Sequence, residues 1–249
     1  MKLKIVYLRK NVGTQTSRLC LWSRYRTLTI WSTIADSELV IKSASGKPTR
    51  IQVQNESRIV AAALDVFSSC GYRGSTVDQI ARNAGMSKAN VLYYFNTKDE
   101  IYAAVLNRTL SIWLDPLEQL DPTGDPIEQL WNYARQKLQL SRTAPHASRL
   151  FANEILQGAN AVRPFLETGL KRLVDSRCQI IQAWIDDGKI ASVSPLHLLF
   201  LIWSSTQHYA DFQAQINALY EGDERALFDE AERTLRLIIT QGLRPTQPE

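Results

Sequence analysis

Ser75, Thr76, Ser87, Lys88, Ala89, Asn90, Tyr93 and Lys98 all fall in one short stretch, GSTVDQIARNAGMSKANVLYYFNTKDE, residues 74–100. Their types suit hydrogen bonding rather than bond making. Lys88 can neutralise a phosphate or donate to guanine, Asn90 can pair in two-pronged fashion with an adenine edge, and Ala89 is small enough to approach a thymine methyl. Ser75 and Thr76, at a helix N-terminus, can hold a phosphate through hydroxyl and backbone N–H. Tyr93 and Lys98 stand where they can hold the sugar–phosphate backbone. The partner this chemistry implies is double-stranded DNA.

Such residues act only if helices aim them. Ile59, Val60, Ala63, Leu64 and Phe67 recur at helical spacing from Glu56 onward, and Gly71 stops that helix. A second helix opens at Gly74-Ser75-Thr76, with Ser75 or Thr76 as its N-cap, and turns Val77, Ile80, Ala81 and Ala84 inward. Gly85 closes it, since glycine tolerates the left-handed end of a helix. Ser87 caps a third helix, Lys88–Tyr94, so two helices are joined by a tight Ala84-Gly85-Met86 turn. That is the order of a helix-turn-helix, whose second member enters a major groove. Phe95 and Tyr94 read as core.

From Lys98 onward the chain is helical throughout. The expected helices run from Lys98 to Trp113, breaking near Asp115-Pro116, then from Pro126 through Leu130, Tyr133, Ala134, Lys137 and Leu138. The next carries Leu150, Phe151 and Ile155 to Gly158, and a long one runs from about Pro164 to Trp184. Ser194-Pro195 launches the most apolar helix, LHLLFLIWSSTQHYADF, and the last spans Ala226–Thr240. No strand pattern competes, so the expected fold is all-α with about nine helices. Residues 53–98 read as the DNA-binding unit, 99–245 as a ligand-binding and dimerisation unit, and 246–249 as a tail.

The overall charge of +4 hides a division. Residues 1–52 carry ten Lys/Arg and two acids, whereas the remainder carries nineteen and twenty-three. The basic leader reads as an unstructured tail or a start assigned too far upstream, with a DNA-binding arm as the alternative. Three scattered cysteines argue against a disulfide framework or zinc site and for a reducing cytoplasm. No apolar run approaches the roughly 20 residues that cross a bilayer. Phosphate-binding, nucleophile-elbow and H-E-x-x-H motifs are absent, and the three histidines are scattered. These features exclude the obvious enzyme classes, and neither metal nor cofactor is expected.

Phe67, Gly71, Thr76, Ile80-Ala81, Gly85, Ser87, Tyr94-Phe95 and Lys98 together closely resemble the N-terminal domain of the TetR family. The family commonly places a phosphate-contacting tyrosine where this chain has Leu92, so that expectation passes to Tyr93. The phrases IWLDPL, SRLFANEILQGA and LIWSSTQHYADF resemble the pyrimidine-utilisation (RutR-type) branch, over residues 55–245 and without the leader. The resemblance implies a homodimer through the last two helices, a repressor on a palindromic operator, and uracil or thymine as effector. A small planar polar ligand needs an apolar slot with a few fixed polar partners. Trp113, Phe151 and Trp203 can supply stacking faces, Gln207 both a donor and an acceptor, and Asn153 or Tyr209 the other side. Trp203, Gln207 and Asp211 share one helical face; which face meets ligand and which meets partner stays open at this stage.

Overall fold

A computed structural model describes residues 49–245, so the readings of the leader before Thr49 and of the tail lie outside the described residues. Among those residues there are ten helices and no strand: α1 (Arg50–Gly74), α2 (Val77–Ala84), α3 (Lys88–Tyr94), α4 (Lys98–Glu118), α5 (Pro126–Thr143), α6 (Pro145–Leu156), α7, α8 (Pro195–Asp211), α9 (Gln213–Leu219) and α10 (Glu224–Gly242). Helix α7 begins at Arg163–Phe165, passes through a π-helical turn at Leu166–Leu170 and continues as Lys171–Asp186. The all-α expectation holds.

Three boundaries differ from the sequence reading, each for a local reason. Helix α1 starts at Arg50 rather than Glu56, because Thr49 and Gln52 close a reciprocal capping box around its first turn. Helix α4 does not break at Asp115-Pro116. Pro116 lies in its last turn, where a missing N–H costs one hydrogen bond, and both Pro116 and Leu117 are buried. Helix α9 is one more than the periodicity disclosed; its residues are mostly exposed and carry no apolar stripe to mark it.

Two apolar clusters organise the bundle. One joins Ile59, Ala63 and Phe67 of α1, Ile80 and Ala81 of α2 and Val91 of α3 to Ile101, Val105, Leu106 and Leu110 of α4, and to Leu150 of α6. The other joins Leu130, Tyr133 and Leu138 of α5 to Ile181 and Trp184 of α7, Leu199 and Ile202 of α8, and Leu235 and Ile239 of α10. Helix α4 runs from the first cluster into the second, which Leu117 enters. Among the described residues no helix is long and apolar enough to cross a membrane.

The turn between α2 and α3 is built on Gly85. Its backbone is left-handed (φ 63°, ψ 38°), and its N–H closes on the Ala81 and Arg82 carbonyls. Arg58 of α1 donates to the Gly85 carbonyl, and a Cβ here would come within 2.7 Å of that guanidinium. Gly85→Ala is therefore expected to destabilise the fold by about 1–2 kcal/mol, from the left-handed penalty and the displaced Arg58. Urea denaturation monitored by circular dichroism reads this directly.

Candidate nucleic-acid interface and ligand site

The turn at Gly85 presents the first residues of α3 to solvent. Ser87 accepts a hydrogen bond from the Asn90 N–H at 3.1 Å, which fixes the helix start. Val91 and Phe95 anchor the inner face, while Ser87, Lys88, Ala89, Asn90 and Tyr93 are exposed. Tyr94 faces inward, its hydroxyl accepting from Asn55 of α1 at 2.8 Å. Tyr93 is 72% exposed, and Leu92 is half-buried. Lys88 pairs with Asp78 of α2 at 2.8 Å, both side chains more than half exposed. An exposed pair of this kind contributes at most about 1 kcal/mol, so a phosphate can replace the aspartate.

Two expected DNA contacts are corrected. Ser75 is buried, and its hydroxyl donates to the Tyr72 carbonyl at 2.7 Å. Lys98 does not reach out toward phosphate. Its ammonium donates to the carbonyls of Tyr72 (2.9 Å) and Ser75 (3.1 Å) and lies 4.2 Å above the Tyr72 ring. The reason is the end of α1 at Gly74, past which the Ser75 carbonyl and, apart from Ser75 itself, the Tyr72 carbonyl lack helical donors. Lys98 supplies them and so ties the start of α4 to the end of α1, not to α3. Tyr72 also hydrogen-bonds Asp99. Thr76 stays exposed, but its hydroxyl and N–H are engaged in a capping box with Gln79.

In the larger half, a charged side chain that sequence reasoning passed over holds the centre. Lys137 of α5 is only 4% exposed. Its ammonium lies 3.8 Å above the Trp113 ring and donates to Gln207 Oε1 over a long 3.5 Å. Burial holds Lys137 well below the usual lysine range, with the Asp211 carboxylate partly opposing. Burial likewise raises Asp211, against the Ser148 hydroxyl, Lys137, Arg149 and His208. Ser148 of α6 donates to Asp211 at 2.6 Å, and the buried Trp113 Nε1 has no hydrogen-bond partner. The available signal was a lysine on the same face of α5 as buried Leu130, Tyr133 and Ala134.

The structure brings together half of the expected ligand residues. Trp113 and Gln207 both meet Lys137, and Trp203, one turn from Gln207 on α8, donates through Nε1 to the Tyr133 hydroxyl. The others stand elsewhere. Phe151 packs into the first core cluster, because α6 presents that face to α1 and α4. Asn153 is exposed on α6. Tyr209, two residues past Gln207 and thus across the helix, packs on Phe228 of α10. It lines a separate groove of about 350 Å³ with Ser141, Arg142 and Tyr220. Exposed Phe200 and Leu201 on α8 and Leu237 and Ile238 on α10 leave apolar surface uncovered. Among the described residues no His/Cys/Asp/Glu group could hold a metal.

Residues 59–105 match the family model described as bacterial regulatory proteins, tetR family, and residues 106–246 match that of the YcdC-like protein, C-terminal region. The chain is 42% identical over 203 residues to the HTH-type transcriptional regulator RutR of Escherichia coli K12, covering 81% of this chain and 96% of that protein. Similarity to the HTH-type transcriptional regulator SrpR of Pseudomonas putida is lower, 33% over 132 residues, covering 52% and 57%. Among solved structures, AibR in complex with isovaleryl coenzyme A and operator DNA superposes with a TM-score of 0.60 at 18% identity, covering 77% of this chain and 100% of that one. A TetR-like regulator from Rhodococcus sp. RHA1 gives 0.56 at 23% identity, covering 79% and 98%.

The two lysines flanking α3 separate experimentally. Lys98→Met should lower folding stability by about 1–3 kcal/mol, since it takes the ammonium from the buried Ser75 carbonyl and from the face of the Tyr72 ring. Lys88→Ala should leave stability within about 0.5 kcal/mol. Lys88→Ala should also lower the slope of log affinity against log salt by about one, as loss of one phosphate contact does. Thermal melts and DNA titrations over a salt series distinguish the two.

Proposed function

The chain belongs to the TetR family and is a ligand-responsive transcriptional regulator rather than an enzyme; from that premise we propose that it represses pyrimidine-degradation genes and releases its operator when uracil or thymine binds. Residues 53–98 serve as the reader and 99–245 as the sensor and dimerisation unit. The observation that carries the DNA half is the exposed edge Ser87-Lys88-Ala89-Asn90 with Tyr93, set on a rigid turn. Lys88 and Asn90 read base edges, Ala89 lies against thymine, and Thr76, Ser87 and Tyr93 hold phosphates. A palindromic operator follows from two such readers related by a dimer axis, half-sites one helical turn or a multiple apart. The uncovered apolar faces of α8 and α10 support a homodimer through those helices. The body is slightly acidic, so affinity rests on these few placed contacts. The protein would act on cytoplasmic DNA.

For the sensor, the supporting observation is the buried Lys137 against Trp113, with half-buried Gln207 and Asp211 beside it. Gln207 offers a donor and an acceptor to an imide edge, and Trp113 and Trp203 supply aromatic walls. Likeness to the pyrimidine-utilisation branch points to uracil or thymine.

Two contact routes lead from this cluster to α1, on which α2 packs. Helix α6 bonds α8 through Ser148–Asp211, and Arg149 donates to the Ala210 carbonyl (3.2 Å), Gln213 (2.9 Å) and His146 (2.7 Å). The same helix packs on α1, where Asp65 interacts with His146 and with Asn83 of α2. Helix α4 carries Trp113 at one end and the Lys98 tie at the other. A ligand that repositions Asp211 or Trp113 thereby shifts the two readers, and a coupling of about 1–3 kcal/mol suffices.

Gel shifts on upstream DNA with and without uracil or thymine test the effector; equal operator affinity in both conditions excludes it. Ser148→Ala should leave ligand-free operator affinity within about twofold while weakening release by roughly five- to tenfold, the size of one lost coupling contact. Unaltered release would take α6 out of the route.

A further inference from the structure

We infer that the groove between the ends of α5 and α8 and the start of α10 is a second ligand site, one that takes a small carboxylate carrying a single planar ring. It stands apart from the Lys137 corner and goes beyond the effector reading above.

The groove encloses about 350 Å³, room for one ring and its substituent. Arg142, in the last turn of α5, is the one cation among the described residues that line it. Its side chain is 32% exposed, and its partners are the Glu224 carboxylate, 3.6 Å from Nε, and the Phe228 ring, 5.5 Å from Cζ. Neither contact is a hydrogen bond, so a guanidinium with five N–H donors is largely withdrawn from water with no acceptor at bonding distance among the described residues. A carboxylate meets two of those donors at once, in the fork geometry of guanidinium pairs. Glu224 marks that position without filling it: its carboxylate reaches only toward Nε, and its side chain is 67% exposed. The other acid at the groove, Asp223, is committed to capping α10, its Oδ1 accepting from the Ala226 N–H at 2.7 Å. Both acids stand at the positive end of that helix, which lessens their hold on any ligand cation.

Aromatic rings supply the walls. Tyr209 of α8 and Phe228 of α10 pack with centroids 5.7 Å apart. Tyr220 lies so close to Gly222 that a Cβ there would come within 2.5 Å of its ring, so glycine keeps the place of that ring open. A planar ring set among Tyr209, Phe228 and Tyr220 carries its carboxylate onto Arg142, whereas an ammonium in the same pose meets a like charge.

Calorimetric titration of the full-length protein with benzoate, benzamide and benzylamine tests the site, because the three share a ring and differ in the charge of one substituent. Benzoate should bind, and the other two should bind at least about tenfold more weakly, the scale of one charge-assisted pair. Arg142→Met should lower benzoate affinity by at least about tenfold, and Arg142→Lys, which keeps the charge but not the fork, should recover only part of it. Glu224→Gln should strengthen benzoate binding by about two- to fivefold, since it removes a competing carboxylate held in an exposed ion pair. Circular dichroism melts establish that each variant is folded, and the exposed Glu224 keeps the test open if Arg142 proves needed for folding. Benzylamine binding more tightly than benzoate, or a benzoate affinity that neither Arg142→Met nor Glu224→Gln alters, overturns the site. Absence of benzoate binding overturns it as well.

Discussion

Lys98 joins the reader to the sensor. Its ammonium donates to the Tyr72 and Ser75 carbonyls at the end of α1, while its backbone begins α4 one residue after the Thr97 cap. A terminal carbonyl without a donor is costly inside a protein, and a cation is the donor best suited to the negative end of a helix. This clasp sets where α4 leaves the reader and, because α4 crosses both apolar clusters, where the sensor stands relative to α3. Helix α6 adds a second brace, packing on α1 and α8 together. In the proposed scheme, a reader held at these two points shifts when either brace does.

The sensor shows the opposite economy. Most of its core is Leu, Ile, Trp and Tyr, yet Lys137 is buried in it beside Gln207. A hydrophobic residue of similar size would be at least as stable in that place, because desolvating an ammonium outweighs what the long hydrogen bond, the Trp113 face and the Asp211 carboxylate return. Stability alone therefore does not account for Lys137. Ligand recognition does, in the proposed scheme: donors held out of water are strong only when matched and costly when not, and that difference is the energy a small molecule can use.

The surface divides the same labour. The exposed edge of α3 carries few groups, and Lys88 is already paired with Asp78, so in the proposed scheme DNA competes for a group held by a weak, exposed ion pair. Helix α8 is apolar on two sides: Leu199 and Ile202 are buried in the sensor core, and Phe200 and Leu201 remain uncovered.

Much of this was legible along the chain. Helical spacing, Gly85 and the Ser87 cap located α2, α3 and their turn, because these signals act within a few residues and need no distant partner. The exposure of Lys88, Ala89, Asn90 and Tyr93 followed from the apolar positions that must face inward, Val91 and Phe95. The proline in α4 misled, since burial of Pro116 and Leu117 outweighs one lost hydrogen bond. Whether Lys98 faces phosphate or carbonyl depends on the end of α1, at Tyr72 and Ser75, 26 and 23 residues away. The surroundings of Phe151, Asn153 and Tyr209 depend on which way α6 and α8 roll against their neighbours. Lys137 was visible on a buried stripe, but only packing reveals that Trp113, Gln207 and Asp211 surround it. Sequence alone determined the all-α fold and the helix-turn-helix, whose causes are local and periodic. Tertiary structure decided which polar groups lie buried and what they face, because burial is a property of neighbours that are remote in the chain.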